Sequence, residues 1–225
     1  MIDDFSQIVS LFEELDEHTK KNADVFLIGG GALMRYDLRD ITKDIDIVVS
    51  TEEEYWALRD AFRLMGFGEQ LPDSAAYVRM AISNILIRDK YRADLFCGCV
   101  CGKFVLSERM KERATLVLAL KRIRLFTCSL SDIFLFKSMT ERDGDLTDCY
   151  KIATEYEPDW DSMLDEAERQ SVGDHGVWID WITDRMEKLA EKGAYIPILD
   201  KMISLSEEYI KKWGDGLLER NKENY

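Results

Sequence analysis

The sequence predicts an α/β domain followed by a helical one, and three observations carry that prediction. Apolar runs at Val25–Ile28 and Ile45–Val49 read as strands and bracket a glycine turn and one short helix. A second pair of runs, Asn84–Arg88 and Tyr91–Phe96, flanks a tight Asp89-Lys90 turn and reads as a hairpin. Beyond Leu130 the apolar residues recur at helical spacing throughout. The change of character falls between Arg124 and Asp132, which assigns residues 1–128 to the α/β domain and 129–225 to the helical one.

Residues Asp3–Lys21 place Phe5, Ile8, Phe12 and Leu15 on one helical face, suited to covering the sheet that begins at Val25. Gly29, Gly30 and Gly31 follow that strand. In the next strand alternate side chains point the same way, so Asp44 and Asp46 share one face while Ile45 and Ile47 take the other. Ser50 with Glu53, or Thr51 with Glu54, forms a capping box. The helix it opens runs to about Met65 and ends at Gly66 and Gly68. Residues 76–96 hold two or three strands. Helices then follow at Ser131–Glu141, Thr147–Tyr156, Trp160–Arg169, Val177–Glu191 and Ile198–Trp213, with a break at Pro158 and a frayed C-terminal NKENY.

Apolar residues make up 46% of the 225, ample for a core. A net charge of −14 argues against non-specific nucleic-acid binding through the whole surface. One stretch runs the other way: Lys103, Arg109, Lys111, Arg113, Lys121, Arg122 and Arg124. It reads either as a solvated helix face and strand end or as a surface for a triphosphate or polyanionic acceptor. No run approaches the ~18 apolar residues of a membrane span. Polar residues come at once at Asp3 and Asp4, so the expectation is a cytoplasmic protein, without membrane contact, whose five cysteines are free thiols.

Two carboxylates side by side at the end of an apolar strand repel each other and are costly to desolvate. A divalent cation between them removes both penalties, and an oxygen-only donor set suits Mg²⁺. The glycines just upstream let backbone N–H groups approach a phosphate. They belong to no dinucleotide fingerprint, which needs a glycine near Met34, and to no P-loop, which needs Gly-Lys-Ser or Gly-Lys-Thr. A phosphate cradle beside a metal-binding carboxylate pair is equipment for phosphoryl or nucleotidyl transfer.

The segment Val25–Val49 resembles the signature of the polymerase-β-like nucleotidyltransferases: a hydrophobic strand, Gly-Gly or Gly-Ser, about a dozen residues, then Asp-x-Asp in a second strand. The resemblance covers roughly the first 150 residues. It looks closest to the small prokaryotic branch that includes abortive-infection-type toxins, on Lys137 followed by RDGDLTD. It implies a mixed, twisted sheet and a third carboxylate on a later strand, a place that Asp94 in YRADLF fits. Asp44, Asp46 and Asp94 would then be catalytic and hold two Mg²⁺ ions. An NTP would be the substrate, with nucleotide contacts at Gly29, Gly30, Gly31, Lys43 and Lys137, in a cleft between the domains. The acceptor hydroxyl would belong to RNA (a tRNA end among the candidates), a protein or a small molecule, and a toxin would have an antitoxin protein as partner. Many relatives carry Ser after the first glycine, whereas Gly30, Gly31 and Ala32 offer no hydroxyl. That departure favours the alternative of a non-catalytic nucleotide-binding or interaction module.

Several residues have second readings. Arg92, two residues from Asp94 on the same face, can neutralise it as a structural partner. Lys137 is either a phosphate contact or a lysine snorkelling from a core helix. Asp145 and Asp148 share a helical face, with Arg142 one turn before Asp145, and read either as an acid-rich first turn or, by the family resemblance, as residues that shape the nucleotide site. Cys97, Cys99 and Cys101 alternate as small buried strand residues, since structural zinc favours C-x-x-C. His18 and His175 read as surface or packing residues. Trp160, Trp178, Trp181, Trp213, Tyr150, Tyr156 and Tyr195 read mostly as core, a few of them suited to an acceptor pocket.

Overall fold

The computed structural model describes residues 1–70, 84–100, 104–171 and 177–223, and for 84, 177 and 213–223 the backbone alone. The chain divides into two compact units, Met1–Phe136 and Lys137–Tyr225.

In the first unit α1 (Phe5–His18) begins at Asp4, whose carboxylate accepts from the Ser6 amide at 2.7 Å, and buries Ile8, Leu11, Phe12 and Leu15. Then come β1 (Ala23–Ile28), α2 (Gly29–Arg35), β2 (Ile45–Val49) and α3 (Glu52–Leu64). Of the two possible capping boxes the chain uses Thr51 with Glu54: the Glu54 amide donates to Thr51 Oγ1 at 3.2 Å, and the Thr51 amide donates to Glu54 Oε2 at 3.0 Å. The same Glu54 accepts from the Asp24 amide at 3.0 Å, which ties the helix start to β1. Next are β3 (Gly68–Gln70), β4 (Asn84–Arg88), β5 (Tyr91–Cys97), β6 (Cys99–Val100), β7 (Phe104–Val105), α4 (Glu108–Arg113), β8 (Thr115–Ala119), β9 (Ile123–Thr127) and α5 (Leu130–Ser138).

Among the described residues seven strands form one mixed sheet in the order β3-β4-β5-β2-β1-β9-β8. β1 pairs with β9, and β2 with β5, in parallel; the other pairings are antiparallel. The expected β4–β5 hairpin is present, its turn using Asp89 at φ +53°. β5 lies parallel to β2, a direction that the sequence alone does not give. The crossover from β2 is long and contains α3, so β5 returns in the same direction as β2, while the tight turn places β4 on the outer side.

Much of the basic stretch is paired. Lys111 bonds Glu108 at 2.7 Å, Arg113 bonds the buried Asp132 at 2.6 Å, and Arg124 pairs with Asp24; Lys103 lies outside the described residues. The cysteine alternation does not make one strand face. Gly98, at φ +70°, ends β5 and donates its amide to the Val49 carbonyl at 2.7 Å. Cys97 and Cys99 therefore sit on different strands, both half-buried, and burial pushes both thiols up. Cys101 is outside the described residues.

Beyond the sheet, α5 is opened by Ser129, whose Oγ accepts from the Asp132 amide at 3.2 Å, rather than by Ser131, and it ends at Ser138 rather than Glu141. The second unit continues with α6 (Asp143–Glu155), α7 (Trp160–Gln170), α8 (Val177–Glu191) and α9 (Leu199–Glu223). The last helix outruns the expected end at Trp213 and takes in Asn221–Glu223, where fraying was expected; Asn224, Tyr225 and His175 lie outside the described residues. Its aromatic residues are less internal than their number implies. Trp178 is buried and meets the exposed Trp181 edge to face at 5.5 Å, while Tyr156 and Tyr195 are exposed. The side chain of Trp213 is not among those described. Among the described residues no helix is long and apolar enough to cross a membrane.

Candidate active site

The first unit brings the glycine turn and two of the aspartates to one place. β1 ends at Ile28, whose register partner on β2 is Asp46. The chain turns at once through Gly29 at φ +64°, a conformation that costs an L-residue about 1–2 kcal/mol. Space demands glycine there as well: a Cβ would fall 2.0 Å from Asp46 Oδ2. A Cβ at Gly30 would fall 2.5 Å from Thr42 Oγ1, and that hydroxyl donates to the Asp44 carbonyl at 2.9 Å. The turn is thus laid against Asp46 itself and against Thr42, which bonds the Asp44 backbone. Gly29→Ala is expected to lower stability by about 1–3 kcal/mol and to push the Asp46 carboxylate aside, read as a lower urea midpoint against wild type.

Asp46 and Asp94 are register partners across the parallel β2–β5 pair, so their side chains stand on the same face of the sheet. Asp44 precedes β2 and, two residues back along the same register, lies level with Arg92. Arg92 ties the group together: Nε and Nη2 donate to Asp94 Oδ1 and Oδ2 at 2.8 and 2.9 Å, and Nε is 3.4 Å from Asp44 Oδ1. The Asp94 side chain is 3% exposed, whereas Arg92 and Asp44 are 23% and 28% exposed. The carboxylates therefore line a site open at its Asp44 end and closed behind Asp94. Among the described residues no three His, Cys, Asp or Glu side chains converge closely enough to hold an ion. The donor chemistry nevertheless suits Mg²⁺. All the candidate ligands are carboxylate oxygens, and Gly29 keeps clear the space beside Asp46 that a side chain would fill. Gly31 is buried, and Lys43 is exposed on the loop before Asp44.

Lys137 lies in the second unit, and it does not snorkel. Its side chain is 6% exposed, with Nζ 2.8 Å from Asp145 Oδ1 and 2.7 Å from Asp148 Oδ2. Burial works against the ammonium, but the two carboxylates outweigh it and hold its pKa above the ordinary lysine value. Burial likewise opposes the charge on Asp145, yet Lys137, Arg142 and Thr140 bring its carboxyl down to about 2. A carboxyl lowered in the folded state contributes stability that is complete above its unfolded value near 3.8 and is lost as pH falls through about 2. The second unit should accordingly lose on the order of 2 kcal/mol between pH 5 and pH 2, a loss absent from Asp145→Asn and measurable by urea titration at both pH values. Sequence reading offered Asp145 and Asp148 as an acid-rich helix start or as residues shaping the nucleotide site. The signal it lacked was their pairing with a lysine one helix earlier in the chain. Arg185, from α8, completes the arrangement by donating to the carbonyls of Thr140 and, at 3.3 Å, Lys137. Beside them a cavity of about 380 Å³ is lined by Thr140, Asp143, Trp181, Asp184, Arg185 and Lys188, among others.

Residues 4–172 match the family described as "Nucleotidyltransferase of unknown function (DUF6036)". No curated protein matches the chain in sequence. Solved structures similar to it include two of one protein. One is the crystal structure of ANT(2")-Ia in complex with adenylyl-2"-tobramycin, 14% identical, covering 84% of this chain and 99% of that one at a TM-score of 0.41. The other is the solution structure of the antibiotic-resistance factor ANT(2'')-Ia, 12% identical over 100% of both chains at 0.42.

Proposed function

The chain belongs to the DUF6036 family of nucleotidyltransferases, and from that premise we propose that it moves a nucleoside monophosphate from an NTP to an acceptor hydroxyl at the Asp44, Asp46 and Asp94 site. The observation that supports this most is the register of β2 and β5, which sets Asp46 beside Asp94 at the mouth of a glycine turn that is sterically committed to Asp46. Asp44, Asp46 and Asp94 would hold divalent ions, two Mg²⁺ by the family resemblance. Bound there, the ions would offset triphosphate charge and lower the pKa of the acceptor hydroxyl. The chain's own residues do the rest. Backbone N–H groups of Gly29–Gly31 orient the phosphates, with no side chain at Gly29 to keep them away. Exposed Lys43 supplies positive charge at the open end. The buried Asp94, at the closed end, orients the acceptor oxygen. Lys137 has no part in this scheme, because its ammonium is committed to Asp145 and Asp148.

The acceptor is RNA, a protein or a small hydroxylated molecule, and the toxin branch of the resemblance adds an antitoxin partner in the cytoplasm. Incubation with Mg²⁺ and each α-labelled NTP, alone and with bulk RNA, protein extract or small polyols, tests these together. Labelled acceptor with released pyrophosphate, lost on adding EDTA, is the expected result. NTP binding without turnover in every arm would instead establish the non-catalytic module, which the absent hydroxyl at Gly30–Ala32 favours.

A further inference from the structure

We propose that Arg92 is a built-in counter-cation for the carboxylate site, and that a divalent ion enters by displacing its guanidinium from Asp94 and Asp44. This rests on the reading of those aspartates as the metal site. Three observations carry it. First, Arg92 addresses two carboxylates on different strands at once, gripping Asp94 with both nitrogens and standing 3.4 Å from Asp44. With Asp46 beside Asp94 in register, the group would otherwise hold carboxylates of one sign around a side chain that is almost wholly buried. A bound cation and the guanidinium answer the same need, so the two compete for Asp94, whose two oxygens Arg92 already engages.

Second, Arg92 is able to leave. It lies near the start of β5 and is partly exposed, so rotation about its side-chain bonds takes the head into water without moving the strand. Lys137 is a contrast within the same chain: it too pairs with two carboxylates, but all three groups are nearly inaccessible. Third, the bidentate fork sets a threshold. Two charge-assisted hydrogen bonds must be given up when the ion arrives, which weakens metal binding by about tenfold or more relative to a site without them. A released guanidinium at the rim would then face an incoming triphosphate, making nucleotide and metal binding mutually supportive.

The test is Mn²⁺ binding to the full chain, followed by electron paramagnetic resonance with and without NTP, beside thermal melts. Arg92→Gln should bind Mn²⁺ about tenfold or more tightly than wild type. Without metal it should melt lower, and Mn²⁺ should restore its melting temperature, because the ion takes over the guanidinium's place. Arg92→Lys, which keeps the charge but lacks the fork, should fall between the two and serves if the glutamine variant does not fold. Wild type binding Mn²⁺ with the same affinity as both variants, and melts that Mn²⁺ does not restore, would overturn the role of Arg92 while leaving the metal site in place. Absence of Mn²⁺ binding in all three proteins, with or without NTP, would overturn the metal site itself and this inference with it.

Discussion

Asp46→Asn is expected to reduce nucleotidyl transfer by about a thousandfold or more while leaving the chain folded. The substitution keeps the shape and removes only the charge. Asp46 is half-buried, so the amide adds no steric load beside Gly29. Its stability should stay close to wild type, since the change relieves repulsion with Asp94, its neighbour in register, and this offsets the loss of the carboxylate's own contacts. That pairing of outcomes separates a site residue from a structural one: a carboxylate kept for the fold would lose stability when neutralised, and one kept for chemistry loses rate alone. Initial rates of labelled-NMP transfer beside thermal melts of both proteins decide it. Undiminished transfer by a folded Asp46→Asn or Asp44→Asn would remove the whole scheme. Asp94→Asn should behave differently, because it also deprives Arg92 of its bidentate partner, so rate and melting temperature should fall together.

The glycine turn and the two strands around it were legible because their signals are local: an apolar run, a turn that demands φ above zero, and aspartates alternating with isoleucine. The capping box at Thr51 and the Asp89-Lys90 turn belong to the same class. The nucleotidyltransferase resemblance read from Val25–Val49 agrees with the family that residues 4–172 match. What sequence reasoning could not supply was long-range. Nothing in YRADLF states that β5 lies parallel to β2, because direction is set by the crossover that carries α3 and not by the strand itself. The register that puts Asp46 opposite Asp94 also places Arg92 level with Asp44, and only the pairing shows that one guanidinium serves both. Lys137 illustrates the same limit. A lysine on an apolar helix suggests an escape to solvent, and its actual partners come from the following helix, across an intervening turn.

Lys137→Met should be among the most damaging single changes to the second unit, at about 3–5 kcal/mol. Methionine matches the length and shape of the stem, so packing is nearly preserved and the cost is electrostatic. Asp145 and Asp148 are 7% and 8% exposed, and without the ammonium two like charges face each other away from water. Arg142 and Thr140 still address Asp145, which limits the loss there. They do not supply the second charge that Lys137 shares with Asp148. Protonation becomes the remaining remedy, so the variant should regain part of its stability as pH falls toward 4, opposite in sign to the acid loss expected of wild type. Four of the five tryptophans lie in the second unit, so intrinsic fluorescence in urea follows chiefly that unit. Lys137→Met combined with Asp145→Asn and Asp148→Asn should recover much of the deficit, since neutral groups of the same shape carry no unpaired charge. Equal stability of the single and triple variants would mean that Lys137 holds the second unit by its packing, and that its contacts with the two carboxylates contribute nothing of their own.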